Sequence, residues 1–420
     1  MPWLGTLDTE REQDRAWAKT VPGSHTVEVQ RLLSQIEVQQ LTKAYGPGSP
    51  AIDALDLVVA KGERIALLGP SGSGKTTLLR LIAGLESPDA GTIRIAGRDM
   101  ANIPPHRRDV AMVFQNPALY PYLNIFDNLA FGLKARGVAR AIRRRRVQEV
   151  AELLGLDRLL SRRPAELSGG ERQRVALGRA FVRWPCVLLL DEPFTNLDEP
   201  LRVALGSELL QLHRRFGSTV LHVTHDQNEA LSLGQRLAVI HQGRIMQLDT
   251  PRTVFIRPAN RFVASFVGSP GMNLIKVEVV RDEKTVRVSL PGGEGAAFFH
   301  ATGELDETLL PLHETQLLEL GVRFESVIIS GETVVEPTDS RHPRFVVPAT
   351  VRSVLFQGAF QQVVLEVAGQ TMAGRAPAHG TFAEGEPALA HLDLSGASWF
   401  DPATGHRLEL HCQAFPRAIA

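Results

Sequence analysis

The sequence predicts an α/β domain with a mainly parallel sheet, followed by a smaller β-barrel domain. Three short apolar runs, at residues 64–68, 187–190 and 220–224, alternate with stretches of helical period. This alternation is typical of a parallel sheet that is buried on both faces. After Pro270 the pattern changes to alternating strand-like runs with few helical stripes, which favours a compact barrel. We therefore predict one domain over residues 36–268 and a second over residues 269–420.

Composition narrows the class of protein. Lys and Arg number 46 and Asp and Glu also number 46, whereas nucleic-acid-binding proteins usually carry a basic excess. The two cysteines, Cys186 and Cys412, have neither metal-ligand spacing nor a disulfide framework, which favours a reducing cytosol. No apolar run approaches the ~20 residues that span a bilayer, so any pore belongs to another chain. Residues 1–35 form an N-terminal extension that we expect to be poorly ordered.

A phosphate-binding loop occupies residues 69–76. These residues fit the pattern G-x-x-x-x-G-K-[ST], directly after an apolar run and before a helical one. Glycines let such a loop curl until its backbone N–H groups face phosphate oxygens, and the helix start adds positive partial charge. The lysine then reaches the β- and γ-phosphates and the hydroxyl ligates Mg²⁺. The predicted nucleotide contacts are Gly69, Ser71, Gly72, Ser73, Gly74, Lys75, Thr76 and Thr77.

Two carboxylates end the apolar run at residues 187–190. We expect this strand to lie beside the strand of the phosphate loop, so that Asp191 holds Mg²⁺ through water. Glu192 is then placed to accept a proton from the attacking water. Taken alone, an acidic strand end that caps a helix would explain the same residues.

A second loop of small residues, Ser168, Gly169 and Gly170, opens onto a helical run. It offers another anion site at a helix start but lacks the lysine and the metal ligand. We therefore expect it to bind the nucleotide held by a second copy of the chain, in a head-to-tail dimer. The alternative for this loop alone is an ordinary helix cap by Ser168.

In order and spacing, these motifs resemble the ABC transporter ATPase family over residues 36–268. Residues 167–171 match its LSGGQ/E signature, with Glu171 where many members have Gln. The resemblance implies that Gln115 is the Q-loop residue and contacts Mg²⁺, that Tyr45 stacks on adenine, and that His225 is the switch histidine. It also implies that residues 195–198 form the D-loop, with Asp198 near the nucleotide. The implied catalytic groups are Glu192, His225 and Lys75, and the implied metal ligands are Thr76, Gln115 and Asp191.

Residues 105–122 and 258–273 resemble the carbohydrate-uptake branch of that family, the maltose and glycerol-3-phosphate type, whose members end in an OB-like TOBE regulatory domain. Residues 321–325 approximate a strand of that domain, with Phe324 where proline is usual, and residues 399–405 resemble its closing segment. The branch implies a helical subdomain at about residues 116–166. In the family, the region of residues 116–133 receives a short helix of the membrane subunit, and we expect Leu119 and Tyr120 to be exposed there.

The resemblance implies an importer ATPase at the cytoplasmic face of the cell membrane, which couples ATP hydrolysis to uptake of a sugar or sugar-derived solute. Its expected partners are a second copy, transmembrane permease subunits and, indirectly, an extracytoplasmic solute-binding protein. An importer ATPase for glycerol 3-phosphate, a polyamine or ferric iron remains an alternative. A non-transport ABC ATPase acting on nucleic acid is another, although the chain carries one phosphate loop and no net positive charge.

Overall fold

The computed structural model describes residues 34–195, 197–281, 285–291, 296–302, 314–331, 344–409 and 411–413. The chain divides into two compact units, Met1–Ile245 and Met246–Ala420, so the division falls before the predicted boundary at residues 268 and 269. The predicted N-terminal extension lies outside the described residues, apart from residues 34 and 35, which begin the first strand. Among the described residues, no helix is long and apolar enough to cross a bilayer.

The first unit contains two sheets. The four-stranded sheet has the order β2-β1-β4-β5, with strands β1 (Ser34–Lys43), β2 (Ile52–Ala60), β4 (Ala90–Ile95) and β5 (Arg98–Asp99). The six-stranded sheet has the order β10-β9-β3-β8-β7-β6, with strands β3 (Arg64–Leu68), β6 (Val110–Val113), β7 (Val187–Asp191), β8 (Thr219–Thr224), β9 (Arg236–His241) and β10 (Arg244–Asp249). Strands β6, β7, β8, β3 and β9 are mutually parallel, and β7 and β8 are buried along their whole length, as a parallel sheet requires.

The expectation that β7 lies directly beside β3 is wrong, because β8 lies between them. Strand β7 pairs with β6 and β8, and β3 pairs with β8 and β9. Apolar composition identifies a buried strand but does not encode its neighbour, which depends on how the crossover helices pack. The carboxyl ends of β3, β7 and β8 nevertheless share one edge of the sheet, where ligands of such sheets bind.

The helices of the first unit are α1 (Lys75–Ala83), α2 (Ile125–Ala135), α3 (Arg140–Leu153), α4 (Gly169–Phe181), α5 (Glu199–Phe216) and α6 (Gln227–Leu233). The predicted apolar stripe of Val147, Val150, Ala151 and Leu154 is buried. Helices α2, α3 and α4 share one hydrophobic core. The predicted helical subdomain of about residues 116–166 holds α2 and α3, and Val175 of the following helix α4 packs into the same core; the end of the subdomain at residue 166 stays a prediction.

The second unit begins with helices α7 (Pro251–Ile256) and α8 (Arg261–Phe266) and continues as strands. The predicted barrel is confirmed as a closed barrel, β15-β18-β17-β16-β19, built from β15 (Val327–Ser330), β16 (Arg344–Phe356), β17 (Phe360–Val367), β18 (Gln370–Pro377) and β19 (Pro387–Asp393). The predicted tight turn after residues 363–367 joins β17 to β18, with φ of 46° at Ala368 and 73° at Gly369.

A seven-stranded sheet, which the sequence pattern does not predict, accompanies the barrel. Its order is β21-β20-β14-β11-β12-β13-β22, with strands β11 (Asn273–Arg281), β12 (Thr285–Ser289), β13 (Ala296–Thr302), β14 (Thr315–Val322), β20 (Ser398–Phe400), β21 (Arg407–Leu408) and β22 (His411–Gln413). Barrel and sheet share one hydrophobic core. Phe324, which stands where the family has proline, starts a short 3-10 turn and is 4% exposed. Its ring centroid lies 5.8 Å from that of Phe360, so the larger side chain is accommodated by packing.

Candidate active site

The phosphate loop links β3 to the start of α1. Gly72 and Gly74 have φ of 77° and 102°, conformations that favour glycine. A Cβ at Gly74 would lie 2.2 Å from the carbonyl oxygen of Ala51, and one at Gly69 would lie 2.2 Å from that of Ile240. The first turn of α1 carries no acidic residue. The backbone N–H groups at this helix start are therefore available to an anion.

Lys75 lies against its own loop. The side chain is buried, with 6% exposure, and Nζ donates to the carbonyl oxygens of Gly69 and Pro70, both at 2.8 Å. Burial lowers the pKa of the lysine, while the carboxylates of Glu192 and Asp191 act in the opposite direction. The ammonium group is thus held over the concave side of the loop, where the predicted phosphates would replace carbonyl oxygens as its partners.

Thr76 and Asp191 meet although 115 positions separate them. The Thr76 hydroxyl Oγ1 donates to Asp191 Oδ1 at 2.8 Å. Burial raises the pKa of Asp191, and the hydrogen bond from Thr76 offsets part of this shift. Hydroxyl and carboxylate oxygens are ligands that suit Mg²⁺, as is the amide oxygen of the exposed Gln115. The donor set that the sequence predicts is therefore chemically suitable for that ion.

Three side chains, from His225, Thr195 and Gln115, converge on the carboxylate of Glu192. Its Oε2 lies 3.0 Å from His225 Nδ1, accepts from Thr195 Oγ1 at 3.1 Å, and lies 3.4 Å from Gln115 Nε2. The backbone of Glu192 has φ of 47°, an uncommon conformation for a long side chain that is often retained at functional sites. Sequence reasoning named Glu192, His225 and Gln115 but gave Thr195 no contact with the carboxylate.

The family model described as ABC transporter matches residues 52–195. The sn-glycerol-3-phosphate import ATP-binding protein UgpC of Cupriavidus necator is 40% identical over 378 residues, which cover 90% of this chain and 100% of the relative. The chain belongs to the ABC transporter family. The diacetylchitobiose uptake system ATP-binding protein MsiK of Streptomyces coelicolor is 50% identical over 249 residues, covering 59% of this chain and 66% of the relative. Among solved structures, cbiO1 from Clostridium perfringens, part of the ABC transporter complex cbiONQ, matches with a TM-score of 0.51 and 26% identity, covering 53% of this chain and 91% of that one.

Membership makes this chain an ABC transporter ATPase, and its signature loop has a defined local geometry. The Ser168 side chain accepts from the backbone N–H of Glu171 at 3.3 Å, and Glu171 Oε2 accepts from the backbone N–H of Ser168 at 2.7 Å. This reciprocal pair is a capping box, and the bond from Ser168 lowers the pKa of Glu171. Ser168 thus caps α4 as the local alternative anticipated, and Glu171 takes part in that cap. Contact between this loop and a second copy's nucleotide stays a prediction.

The other implied nucleotide contacts are less constrained. Tyr45 is 60% exposed, with Lys43 Nζ at 5.6 Å from its ring centroid, so a ring face is accessible for stacking. Asp198 caps α5 by accepting from the backbone N–H of Leu201 at 3.2 Å. Asn196 of the implied D-loop lies outside the described residues. The stacking role of Tyr45 and the nucleotide role of Asp198 therefore remain predictions of the ABC resemblance.

A buried polar network behind His225 escaped the sequence reasoning. Glu229 of α6 bonds to His222 Nε2 and accepts from Thr224 Oγ1 at 3.0 Å. Thr224 Oγ1 in turn accepts from the backbone N–H of Asp226 at 3.0 Å. Among the described residues His222 Nδ1 has no hydrogen-bond partner, so the tautomer that carries its proton on Nε2 and donates it to Glu229 fits this site. The network fixes the backbone on both sides of His225 in the ATPase.

Proposed function

We propose that this chain is the ATP-hydrolysing subunit of an ABC importer, with Glu192 as the general base. The observation that carries the proposal is the convergence of His225, Thr195 and Gln115 on Glu192 Oε2, one residue from the carboxylate that bonds Thr76. A phosphate loop, a metal-ligand pair and a hydrogen-bonded base together are what phosphoryl transfer to water requires.

In the proposed reaction, the phosphate loop and Lys75 hold the β- and γ-phosphates of ATP. Thr76, Asp191 and Gln115 would hold Mg²⁺, which neutralises charge on the phosphate oxygens when bound. Glu192 accepts the proton of the attacking water. His225 keeps the Glu192 carboxylate in position through its Nδ1, and its other ring nitrogen would donate to the γ-phosphate.

A second copy completes the proposed site. Ser168, Gly169 and Gly170 stand at the start of α4, and Ser168 and Gly169 are exposed, so they are accessible to a nucleotide held by a partner. ATP bound between the two copies would favour the dimer by mass action, and hydrolysis would release it. We infer that the dimer acts peripherally at the cytoplasmic face of the membrane, beneath permease subunits.

A groove beside the Gln115 loop is the proposed contact for the permease. It has a volume of about 280 Å³ and is lined by residues that include Phe114, Tyr120 and Phe131. Tyr120 is 37% exposed, and its ring centroid lies 4.3 Å from that of Phe131. Leu119 is half-buried against the helical core, so Tyr120 offers more surface to a partner helix than Leu119 does. Such a groove suits an apolar helix face.

The proposed cargo is a sugar or a sugar-derived solute, delivered by an extracytoplasmic binding protein. The support comes from relatives named for import of sn-glycerol 3-phosphate and for uptake of diacetylchitobiose. Of the alternatives, glycerol 3-phosphate has the specific support of the relative that is similar over 90% of this chain. A polyamine or ferric iron has no comparable support among these relatives.

The chemical step is tested by Glu192→Gln in the full chain. We expect the variant to bind Mg²⁺-ATP as the wild type does and to hydrolyse it at least about 100-fold more slowly, the scale of lost general-base catalysis. Phosphate release and nucleotide binding are measured separately. The matched control is Glu208→Gln, whose half-buried carboxylate pairs with Arg174 at 2.9 Å and should leave turnover unchanged. Normal turnover in Glu192→Gln would overturn the assignment.

The cargo is tested in lipid vesicles that contain the subunit, its permease and its binding protein. Glycerol 3-phosphate, diacetylchitobiose, a polyamine and ferric iron are compared for stimulation of ATP hydrolysis. Stimulation by diacetylchitobiose supports the proposal, and stimulation by glycerol 3-phosphate alone would favour that alternative. Stimulation by a polyamine or iron alone would contradict the cargo while leaving the ATPase assignment intact.

A further inference from the structure

A second cleft in the first unit lies apart from the nucleotide site. It is formed by one face of α3 along most of its length, the turn after α4 and the end of α5, and its volume is about 1450 Å³. Four arginines and two carboxylates line it: Arg140, Arg144, Arg145, Glu149 and Glu152 come from α3 and Arg215 comes from α5. No predicted nucleotide or metal contact belongs to the lining.

The cleft keeps an excess of positive charge, because its four arginines outnumber the carboxylates of Glu149 and Glu152. Arg215 is paired, since its Nε and Nη2 lie 2.9 and 2.7 Å from Glu149 Oε1. In the part of the chain that the structure describes, the guanidinium groups of Arg140, Arg144 and Arg145 have no ion pair. Because these groups face one concave surface, the cleft is complementary to an anion.

The charge pattern at the start of helix α3 is unfavourable for an isolated helix. Arg140 stands four residues before Arg144 and three before Arg143, so like charges repel on one face. The first turn holds no acidic residue, and Ala139 provides no side-chain cap. A helix start that departs in this way from local preference is expected at functional sites.

Trp184 supplies a second, independent irregularity at the same cleft. Its backbone φ is 51°, an outlier for so bulky a side chain. The guanidinium of Arg146 lies 3.8 Å from the ring centroid, and the Phe216 ring is stacked at 6.0 Å. These contacts hold the indole against the cleft wall while 39% of the residue stays exposed. A strained backbone held by its surroundings points to a role beyond packing.

We propose that this cleft binds an anion that carries clustered phosphate groups. The planar guanidinium fork of arginine matches phosphate oxygens and donates charge-assisted hydrogen bonds to them. Three unpaired guanidinium groups in one cleft suit several phosphates better than a single carboxylate. A soluble polyphosphate and the phosphate headgroup of an anionic lipid share this chemistry. The proposal does not depend on the assigned ATPase chemistry, because the two sites have no residue in common.

The test measures binding of inorganic tripolyphosphate to the full chain by titration calorimetry. All proteins carry Lys75→Ala, so that the phosphate loop contributes little and equally to each measurement. We expect Arg144→Gln combined with Arg145→Gln to weaken binding at least about tenfold, because two charge-assisted contacts are lost. The matched control is Arg94→Gln combined with Arg98→Gln, an exposed pair on the four-stranded sheet, which should leave binding unchanged.

A second arm identifies the source of the phosphate. Flotation with phosphatidylglycerol vesicles is compared with flotation on phosphatidylcholine vesicles, using the same variants. Arginine-dependent binding of tripolyphosphate supports the proposal with a soluble ligand, and arginine-dependent binding to phosphatidylglycerol alone supports it with a lipid headgroup. Binding in neither arm would overturn it, as would binding that the control pair weakens equally. Unchanged thermal unfolding of the Arg144→Gln, Arg145→Gln protein checks that the fold is intact.

Discussion

The buried carboxylate of Glu229 is predicted to position His225, and the substitution Glu229→Gln tests this role. Glu229 is not placed to touch nucleotide, since its two oxygens are engaged by His222 and Thr224. Its backbone N–H also donates to Asp226 Oδ1 at 3.0 Å. Loss of the charge therefore acts on the residues that flank His225 rather than on the reacting atoms.

The magnitude follows from the two side-chain bonds. Hydrogen bonds to a charged group contribute about 1.5–3 kcal/mol and neutral ones about 0.5–1.5 kcal/mol, so two bonds that lose their charge cost about 2–3 kcal/mol. The amide nitrogen of glutamine, which is itself a donor, would also face either His222 or Thr224, the two groups that donate to Glu229. Because His225 Nδ1 lies 3.0 Å from Glu192 Oε2, a small displacement breaks that contact. We expect kcat to fall about tenfold or more, since small misplacements reduce rates strongly.

The assay combines steady-state phosphate release with thermal unfolding. A positioning role predicts a lower kcat with an almost unchanged KM for ATP, whereas simple unfolding would lower the concentration of active enzyme and the melting temperature together. Thr224→Val, which removes one donor to Glu229, should act in the same direction, and Thr224→Ser should retain activity. An unchanged kcat in Glu229→Gln, measured where the protein is folded, would show that Glu229 does not position His225.

Two further predictions concern stability and reactivity. Arg323 donates to the carbonyl oxygens of Phe255, Ala264 and Val267, and burial lowers its pKa to about 10. Arg323→Met should therefore destabilise the second unit by about 3 kcal/mol or more, which is measured as a lower urea midpoint. The control Arg375→Met, at an exposed position, should leave the midpoint unchanged. Equal midpoints for the two variants would contradict the prediction. Burial raises the pKa of the Cys186 thiol to about 12, so at pH 8 iodoacetamide should modify it far more slowly in the folded than in the unfolded chain. The experiment uses a Cys412→Ser background, and equal rates would contradict the prediction.

Local chemistry explains what could be predicted of the site. The phosphate loop, the pair Asp191 and Glu192, and the cap at Ser168 are each encoded within a few consecutive residues. Glycine torsions, a helix start and a strand end are short-range properties, so their sequence pattern is sufficient. Predicting that Gln115 and His225 belong to the same site as Glu192 also required the resemblance to a family, because both residues are distant from Glu192 in the sequence.

The pattern of residues along the chain was sufficient to predict the fold class, the barrel after the α/β domain and most of the chemical groups of the candidate site. Three features depend instead on long-range packing: β8 separates β7 from β3, Thr195 donates to the Glu192 carboxylate, and Glu229 joins His222 and Thr224 behind His225. The same packing brings the arginines of α3 together with Trp184. Torsional preferences and hydrophobic period act between neighbours in the chain, whereas strand order and buried polar contacts are fixed by long-range burial, in which each polar group must find a partner.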